Sequence, residues 1–353
     1  MNKQLNRLID CSMCPNMCKF SCPVYLATGS ETFTPQKKAR LILYHKKNLL
    51  EDEDGFFDAV FQCALCGNCV VNCQYDDFDI RDFIIEERST AFKKGFISPL
   101  AKDALENFNR FGNPDGERET IDKGKGEIGY FISCSTFKDK DIISATEKIL
   151  NKAQVDVKEF GGGDICCGAP LFFAGDMDGF KKKAEQMEKL IKEKGIKRII
   201  TNCPTCIKMM KKHYPEVGVD LGIDIVHTLT FTKELIDEGR LSLKKVENKS
   251  ITYHDPCILA KDLDITETPR IILKKIGYSL REPAYTGKDA HCCGGRTRIG
   301  DKNTRDAISN MRENELKETK ATEYVSACPT CKDVLKSLQM KDILEIIGDA
   351  LDE

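Results

Sequence analysis

Ten of the chain's eighteen cysteines fall into two copies of one spacing. Cys134 leads to Cys166-Cys167-Gly168 and then to Cys203-Pro204-Thr205-Cys206, and Cys257 leads in the same way to Cys292-Cys293-Gly294 and Cys328-Pro329-Thr330-Cys331. Corresponding cysteines lie 123 to 126 residues apart, so a unit carrying five thiols has been duplicated. Five soft donors are one more than closes a structural zinc site or a cubane iron–sulfur cluster. Neighbouring side chains diverge along the backbone, which makes Cys166-Cys167 and Cys292-Cys293 poor chelates for one zinc but suits two irons of a larger cluster. The glycine after each pair lets the backbone approach a metal without a Cβ in the way.

The other eight cysteines form two groups of four. Cys11, Cys14, Cys18 and Cys22 precede Pro23, and Cys63, Cys66, Cys69 and Cys73 keep the bacterial ferredoxin spacing without the proline. The first group departs from that spacing by one extra residue between Cys14 and Cys18. In two-cluster ferredoxins the fourth cysteine of each run serves the other cluster. Applied here, Cys11, Cys14 and Cys18 join Cys73, and Cys63, Cys66 and Cys69 join Cys22. Paired zinc sites are the alternative, and the interleaved spacing favours iron and sulfur.

Around the repeats stand other residues with chemistry to offer. His254 precedes Cys257 by three positions and His291 directly precedes Cys292, which makes both candidate proton donors; the plainer reading is histidines hydrogen-bonded to backbone. Arg296 and Arg298 follow the second CCG triplet, and Lys208 and Lys332 follow the CPTC motifs. Such cations either neutralise thiolate charge or bind an anionic substrate, and the sequence leaves both open. Gly161-Gly162-Gly163-Asp164 has no Gly-Lys-Ser/Thr after it and reads as a flexible loop beside a cluster, not a phosphate loop. Lys181-Lys182-Lys183 reads as a solvated helix face.

The elements that must position these residues follow from periodicity. Residues 37–44, 79–94 and 98–118 read as helical, the last with a loop at 111–116, and 122–126 as a linker. Each repeat alternates strands and helices: 128–132 and 198–201 are strands ending near Cys134 and Cys203, and 250–253 and 324–326 end near Cys257 and Cys328. Helices over 181–193 and 301–318 lie between them. Ligands then emerge at the carboxyl ends of parallel strands, where open α/β sheets place their sites.

Length and composition set outer bounds. The 353 residues allow two or three domains. With 31% charged residues balancing to −2, no basic field argues for nucleic acid. No apolar run approaches the ~20 residues of a membrane span. Eighteen cysteines and no apolar leader fit a reducing, cytoplasmic setting, with membrane attachment only through a partner.

The doubled cysteine pattern resembles the CCG domain of heterodisulfide reductase and its relatives over roughly residues 127–340, and the N-terminal part resembles the α-helical ferredoxin domain found beside it. The combination is similar to the D-type members of that family, in which a C-type ferredoxin part is fused to a B-type catalytic part. The resemblance implies an α+β/α/β fold: an α-helical ferredoxin domain (1–120) and two tandem pseudo-symmetric α/β CCG units (121–240 and 241–353). It further implies two cubane and two noncubane [4Fe-4S] clusters, and reduction of the CoM-S-S-CoB disulfide or a related one. Its electrons would come from a partner, either a membrane cytochrome b or a soluble flavoprotein. The alternative from another class is an electron-carrying iron–sulfur subunit of a flavin-dependent glycolate, lactate or glycerol-3-phosphate dehydrogenase.

Overall fold

The computed structural model describes residues 3–352 except 52, 296, 297 and 299, and the backbone alone of Asp54. Up to residue 111 the described chain is helical: Lys3–Met13, Pro23–Thr28, Pro35–Lys46, Asp54–Phe61, Asn68–Val71, Ile80–Lys93 and Pro99–Phe111. Local chemistry sets the starts. Thr34 accepts from the Lys37 amide with Pro35 in the first turn, Asp79 accepts from the Arg81 amide, and Pro23 opens a helix directly after Cys22.

These helices do not close a core of their own. Leu8, Ile42, Val60 and Ile84 pack into one buried cluster with Phe172, Phe173, Phe180 and Ile199 of the segment that follows. Arg88 is fully buried at this seam and donates to the carbonyls of Phe61, Cys63 and Phe173 at 3.3, 2.8 and 3.0 Å. Opposite it, Gly175 has φ +92°, and a Cβ there would stand 2.2 Å from the Arg88 carbonyl oxygen.

The first sheet comprises β1 (Thr120–Gly124), β2 (Ile128–Ile132), β3 (Val157–Gly162), β4 (Arg198–Thr201) and β5 (Asp224–His227) in the order β1-β3-β2-β4-β5. Only β1 runs antiparallel to its neighbour. The segment expected to be a linker is therefore mostly an edge strand. Its side chains are exposed, so its composition is that of a loop, and the ladder to β3 decides its conformation. The glycines after it also differ from expectation: Gly161 and Gly162 end β3, and a Cβ on Gly162 (φ +71°) would lie 2.3 Å from the Glu119 carbonyl, so close strand packing fixes this stretch.

The second sheet comprises β6 (Ser250–His254), β7 (Ser279–Leu280), β8 (Glu323–Ser326) and β9 (Lys341–Asp342) in the order β7-β6-β8-β9, all parallel. Strand for strand it repeats β3-β2-β4-β5, without a counterpart of β1 among the described residues. The helix that ends each repeat packs on the other repeat: Thr228–Asp237 lies on Glu267–Ile276, and Ile343–Asp349 on Lys140–Lys152. A second buried cluster, with Tyr130, Ile149, Leu229, Tyr253, Leu273 and Ile347, accordingly spans both repeats.

Candidate metal centres

The ferredoxin-like cysteines surround two hollows. One, about 170 Å³, is lined by Cys11, Cys14, Cys18 and Cys73; the other, about 30 Å³, by Cys22, Cys63 and Cys66; Cys69 borders both. Burial, reinforced by Cys18, Cys73 and Cys14, pushes the Cys11 thiol up to about 12, and burial with Cys22, Cys14 and Cys73 does the same to Cys18. Cys69 is pushed up by burial and then by Cys63 and Cys66. The second hollow abuts the second repeat, because Cys22 and Cys66 pack in one buried cluster with Cys257 and Cys292.

In each repeat the five thiols meet at the carboxyl ends of the two central strands. Cys134 follows β2 and Cys203 follows β4, with the Cys203 backbone capping the short helix Pro204–Lys208; Cys257 and Cys328 take the same places after β6 and β8. The thiols then influence one another in series: Cys134, Cys166, Cys167, Cys206, Cys203 in the first repeat, and Cys257, Cys292, Cys293, Cys331, Cys328 in the second. Cys206 Sγ lies 3.2 Å from Cys167 Sγ, and Cys293 Sγ lies 3.4 Å from Cys331 Sγ. Thiol donors from Cys166 and Cys206 hold Cys167 down to about 6, and Cys206 holds Cys203 down to about 6. Their partners move the other way: contact with Cys167 and burial push Cys206 well up. Ten crowded sulfurs cannot all be thiolates without cations among them, and soft multivalent metal is the cation that this donor set suits.

Cys134, Cys167, Cys203 and Cys206 border a cavity of about 90 Å³ walled also by Ala104, Phe173, Arg298 and Thr330, so all three parts of the chain contribute to it. Arg298 is buried, and its Nη1 donates to Cys257 Sγ at 3.3 Å. It thus reaches the thiols of its own repeat while facing the cavity beside those of the other. Arg296 lies outside the described residues.

Neither lysine after a CPTC motif is paired with a thiol. Lys208 pairs with Asp262 at 3.0 Å and Lys332 with Asp139 at 2.8 Å. Each aspartate stands five places after the first cysteine of the opposite repeat, so the pairs are reciprocal bolts between repeats. Arg81 adds a second cation to Asp262, at 2.9 Å. Burial would raise the Asp262 carboxyl, but Lys208 and Arg81 outweigh it and hold it below its usual range. Lys183, expected on a solvated face, is buried and donates to the Asp164 carbonyl at 2.6 Å; Lys181 and Lys182 are exposed.

His254 and His291 belong to one buried network. Arg312 Nε donates to His254 Nδ1 at 3.1 Å, Arg312 Nη1 pairs with Glu315 at 2.7 Å, and the other Glu315 oxygen is 3.1 Å from His291 Nδ1. Burial and the Arg312 charge push His254 well below its ordinary range, so its ring is neutral. Nothing local in the sequence singles out Arg312 and Glu315. Their spacing on helix Lys302–Lys317 looks like an ordinary exposed ion pair, and only the tertiary contact of Arg312 with His254 puts them beside a histidine.

Comparison with known proteins adds the family. Residues 7–76 match a 4Fe-4S dicluster domain, and residues 128–211 and 251–336 match a cysteine-rich domain, CCG. The chain is 26% identical over 391 residues to the D subunit of dihydromethanophenazine:CoB–CoM heterodisulfide reductase from Methanosarcina acetivorans, covering 99% of this chain and 95% of that one. It is 26% identical to the B subunit of fumarate reductase (CoM/CoB) from Methanothermobacter marburgensis, covering 98% of this chain and 69% of the other. A crystal structure of a hypothetical protein from Helicobacter pylori superposes with a TM-score of 0.64 at 11% identity, covering 100% of this chain and 73% of that one, a likeness of fold alone. No helix among the described residues is long and apolar enough to cross a membrane. The chain joins a 4Fe-4S dicluster domain to two CCG domains and is an iron–sulfur protein homologous, over nearly its full length, to the D subunit of heterodisulfide reductase.

Proposed function

We propose that this chain is the disulfide-reducing subunit of a multi-subunit oxidoreductase of heterodisulfide reductase type. The reaction is RSSR′ + 2e⁻ + 2H⁺ → RSH + R′SH, with CoM-S-S-CoB or a related disulfide as substrate. Cys11, Cys14, Cys18 and Cys73 would hold one cubane [4Fe-4S] cluster, and Cys63, Cys66, Cys69 and Cys22 a second. The five thiols of each repeat would hold a noncubane [4Fe-4S] cluster. Bound there, such clusters supply single electrons and irons with affinity for sulfur.

The observation that carries the reading is the cavity between the repeats, where four thiols of the first set face Arg298 and Thr330 of the second. A disulfide has two sulfurs to receive, and this cavity would hold one molecule against the first five-thiol set, with Arg298 linking it to Cys257 of the second. Phe173 and Ala104 keep the wall apolar, and Arg298 supplies positive charge where thiolate develops. Electrons would arrive from a partner, a membrane cytochrome b or a soluble flavoprotein, at the hollow lined by the exposed Met17, and reach the second repeat through Cys66.

Chain purified without oxygen should carry about sixteen irons and reduce the disulfide with reduced viologen. Cys167→Ser and Cys293→Ser should each abolish that activity while the ferredoxin-type EPR signals persist. If the dye-reduced chain leaves disulfides intact yet accepts electrons from a co-purifying flavoprotein that oxidises a hydroxy acid, the chain is a relay.

A further inference from the structure

The two five-thiol sets match in sequence but not in surroundings. Three residues before the first cysteine, the first repeat has Phe131 and the second His254. At the position matched by counting back from Cys203 and Cys328, the first repeat has Met187 and the second Arg312. Phe131 and Met187 are buried and apolar, so nothing at these two places donates to the first set. In the second repeat a ring nitrogen of His254, Cys293 Sγ and Cys331 Sγ lie within 4.8 Å of one another, and His254 is fully buried.

The tautomer of His254 follows from its partner. A guanidinium can only donate, so Nδ1, which receives Arg312 Nε at 3.1 Å, must be the bare nitrogen and Nε2 must carry the hydrogen. Arg312 is itself fixed by Glu315 at 2.7 Å and by the Tyr285 carbonyl at 3.0 Å. His254 Nε2 is buried with no hydrogen-bond partner among the described residues. A buried donor left without an acceptor is unfavourable, so a fold that holds one beside two thiols is holding it for something.

We propose that His254 is a positioning residue that donates Nε2–H to the sulfur ligands Cys293 and Cys331, and that this bond makes the second centre easier to reduce than the first. An N–H···S bond stabilises the more electron-rich state and so raises a reduction potential. The inference rests on the proposed function in one respect, that the second thiol set holds an iron–sulfur cluster. It adds a direction: the repeat that adjoins Cys66 fills first.

The test uses the holo chain with 15N-labelled histidine, reduced anaerobically and followed by EPR-monitored potentiometry and pulsed EPR. His254→Phe, which installs the residue of the first repeat, should lower the potential of one CCG centre by at least a tenfold shift in its reduction equilibrium, 59 mV for one electron. The other three centres should not move. His254→Gln keeps an N–H donor and should recover part of the shift. The wild-type centre should show a weakly coupled histidine nitrogen that vanishes in both variants. Unchanged potentials in both variants, or a strongly coupled, directly ligated nitrogen, overturns the proposal. If the second thiol set binds zinc, the disulfide-reducing reading fails separately, and 15N NMR then decides: a protonated Nε2 beside a bare Nδ1 upholds the placement, and the opposite tautomer or a zinc-bound ring overturns it.

Discussion

Arg298, Lys208 and Lys332 are cations close in sequence to the repeat cysteines, yet the fold separates their uses. The lysines are spent on aspartates of the opposite repeat, while Arg298 alone of the three donates to a thiol. Arg298→Met should therefore act first on the second centre, lowering iron content by about four per chain and kcat together with it. A rise in KM alone at full iron content would mean that Arg298 serves only to hold an anionic substrate. Glu315 offers a pH test. Burial would raise its carboxyl, but His291 and Arg312 outweigh that and depress it from an ordinary 4.5 to about 2. Its contribution to stability is thus complete above pH about 4.5 and is lost as pH falls toward about 2. The gap in Tm between the wild-type chain and Glu315→Gln should be constant from pH 7 to 5 and narrow below that window. Which residues carry thiols was legible from spacing; which cations meet them was not, because the partners Asp139 and Asp262 come from the other repeat, through contacts that no local pattern encodes.

At the scale of elements, the strands that end in cysteine were legible because each is a short apolar run stopped by its motif, as in Ile128–Ile132 and Arg198–Thr201. Edge strand β1 was not, since Thr-Ile-Asp-Lys-Gly buries almost nothing and gains its conformation from β3 alone. The short helix Ala169–Ala174, directly after the first CCG triplet, marks where the ferredoxin-like helices dock. Its end at Gly175 admits the Arg88 carbonyl so closely that any Cβ must displace backbone, and φ +92° is strained for other residues. Gly175→Ala should therefore cost more than about 2 kcal/mol. In thermal unfolding that is a clear fall in Tm, whereas Gly195→Ala, with open space around its Cβ, should cost less. Equal effects at the two glycines would show that the seam at Arg88 yields freely.

Across the whole molecule the hollows and thiol sets form a sequence of neighbours: the hollow of Cys11, Cys14, Cys18 and Cys73, then that of Cys22, Cys63 and Cys66, then the second repeat, then the cavity at the first. Cys22 is the pivot of that order. By sequence it belongs to the first run of four, but its side chain lines the second hollow, and burial raises its thiol with Cys63 adding to the rise. Pro23 explains why: the helix it starts turns the chain at Cys22, while Cys11, Cys14 and Cys18 remain on the outer side. Cys22→Ser should consequently weaken the EPR signal of the centre held by Cys63, Cys66 and Cys69 and leave that of Cys11, Cys14, Cys18 and Cys73 in place. Because the damaged centre lies between the outer hollow and the second repeat, electrons offered by a protein partner should reach the CCG centres slowly in this variant, whereas a small viologen, able to enter elsewhere, should still reduce them. A variant that loses only the outer centre's signal would reverse the assignment of Cys22, and one in which partner and dye work equally well would place the electron route elsewhere.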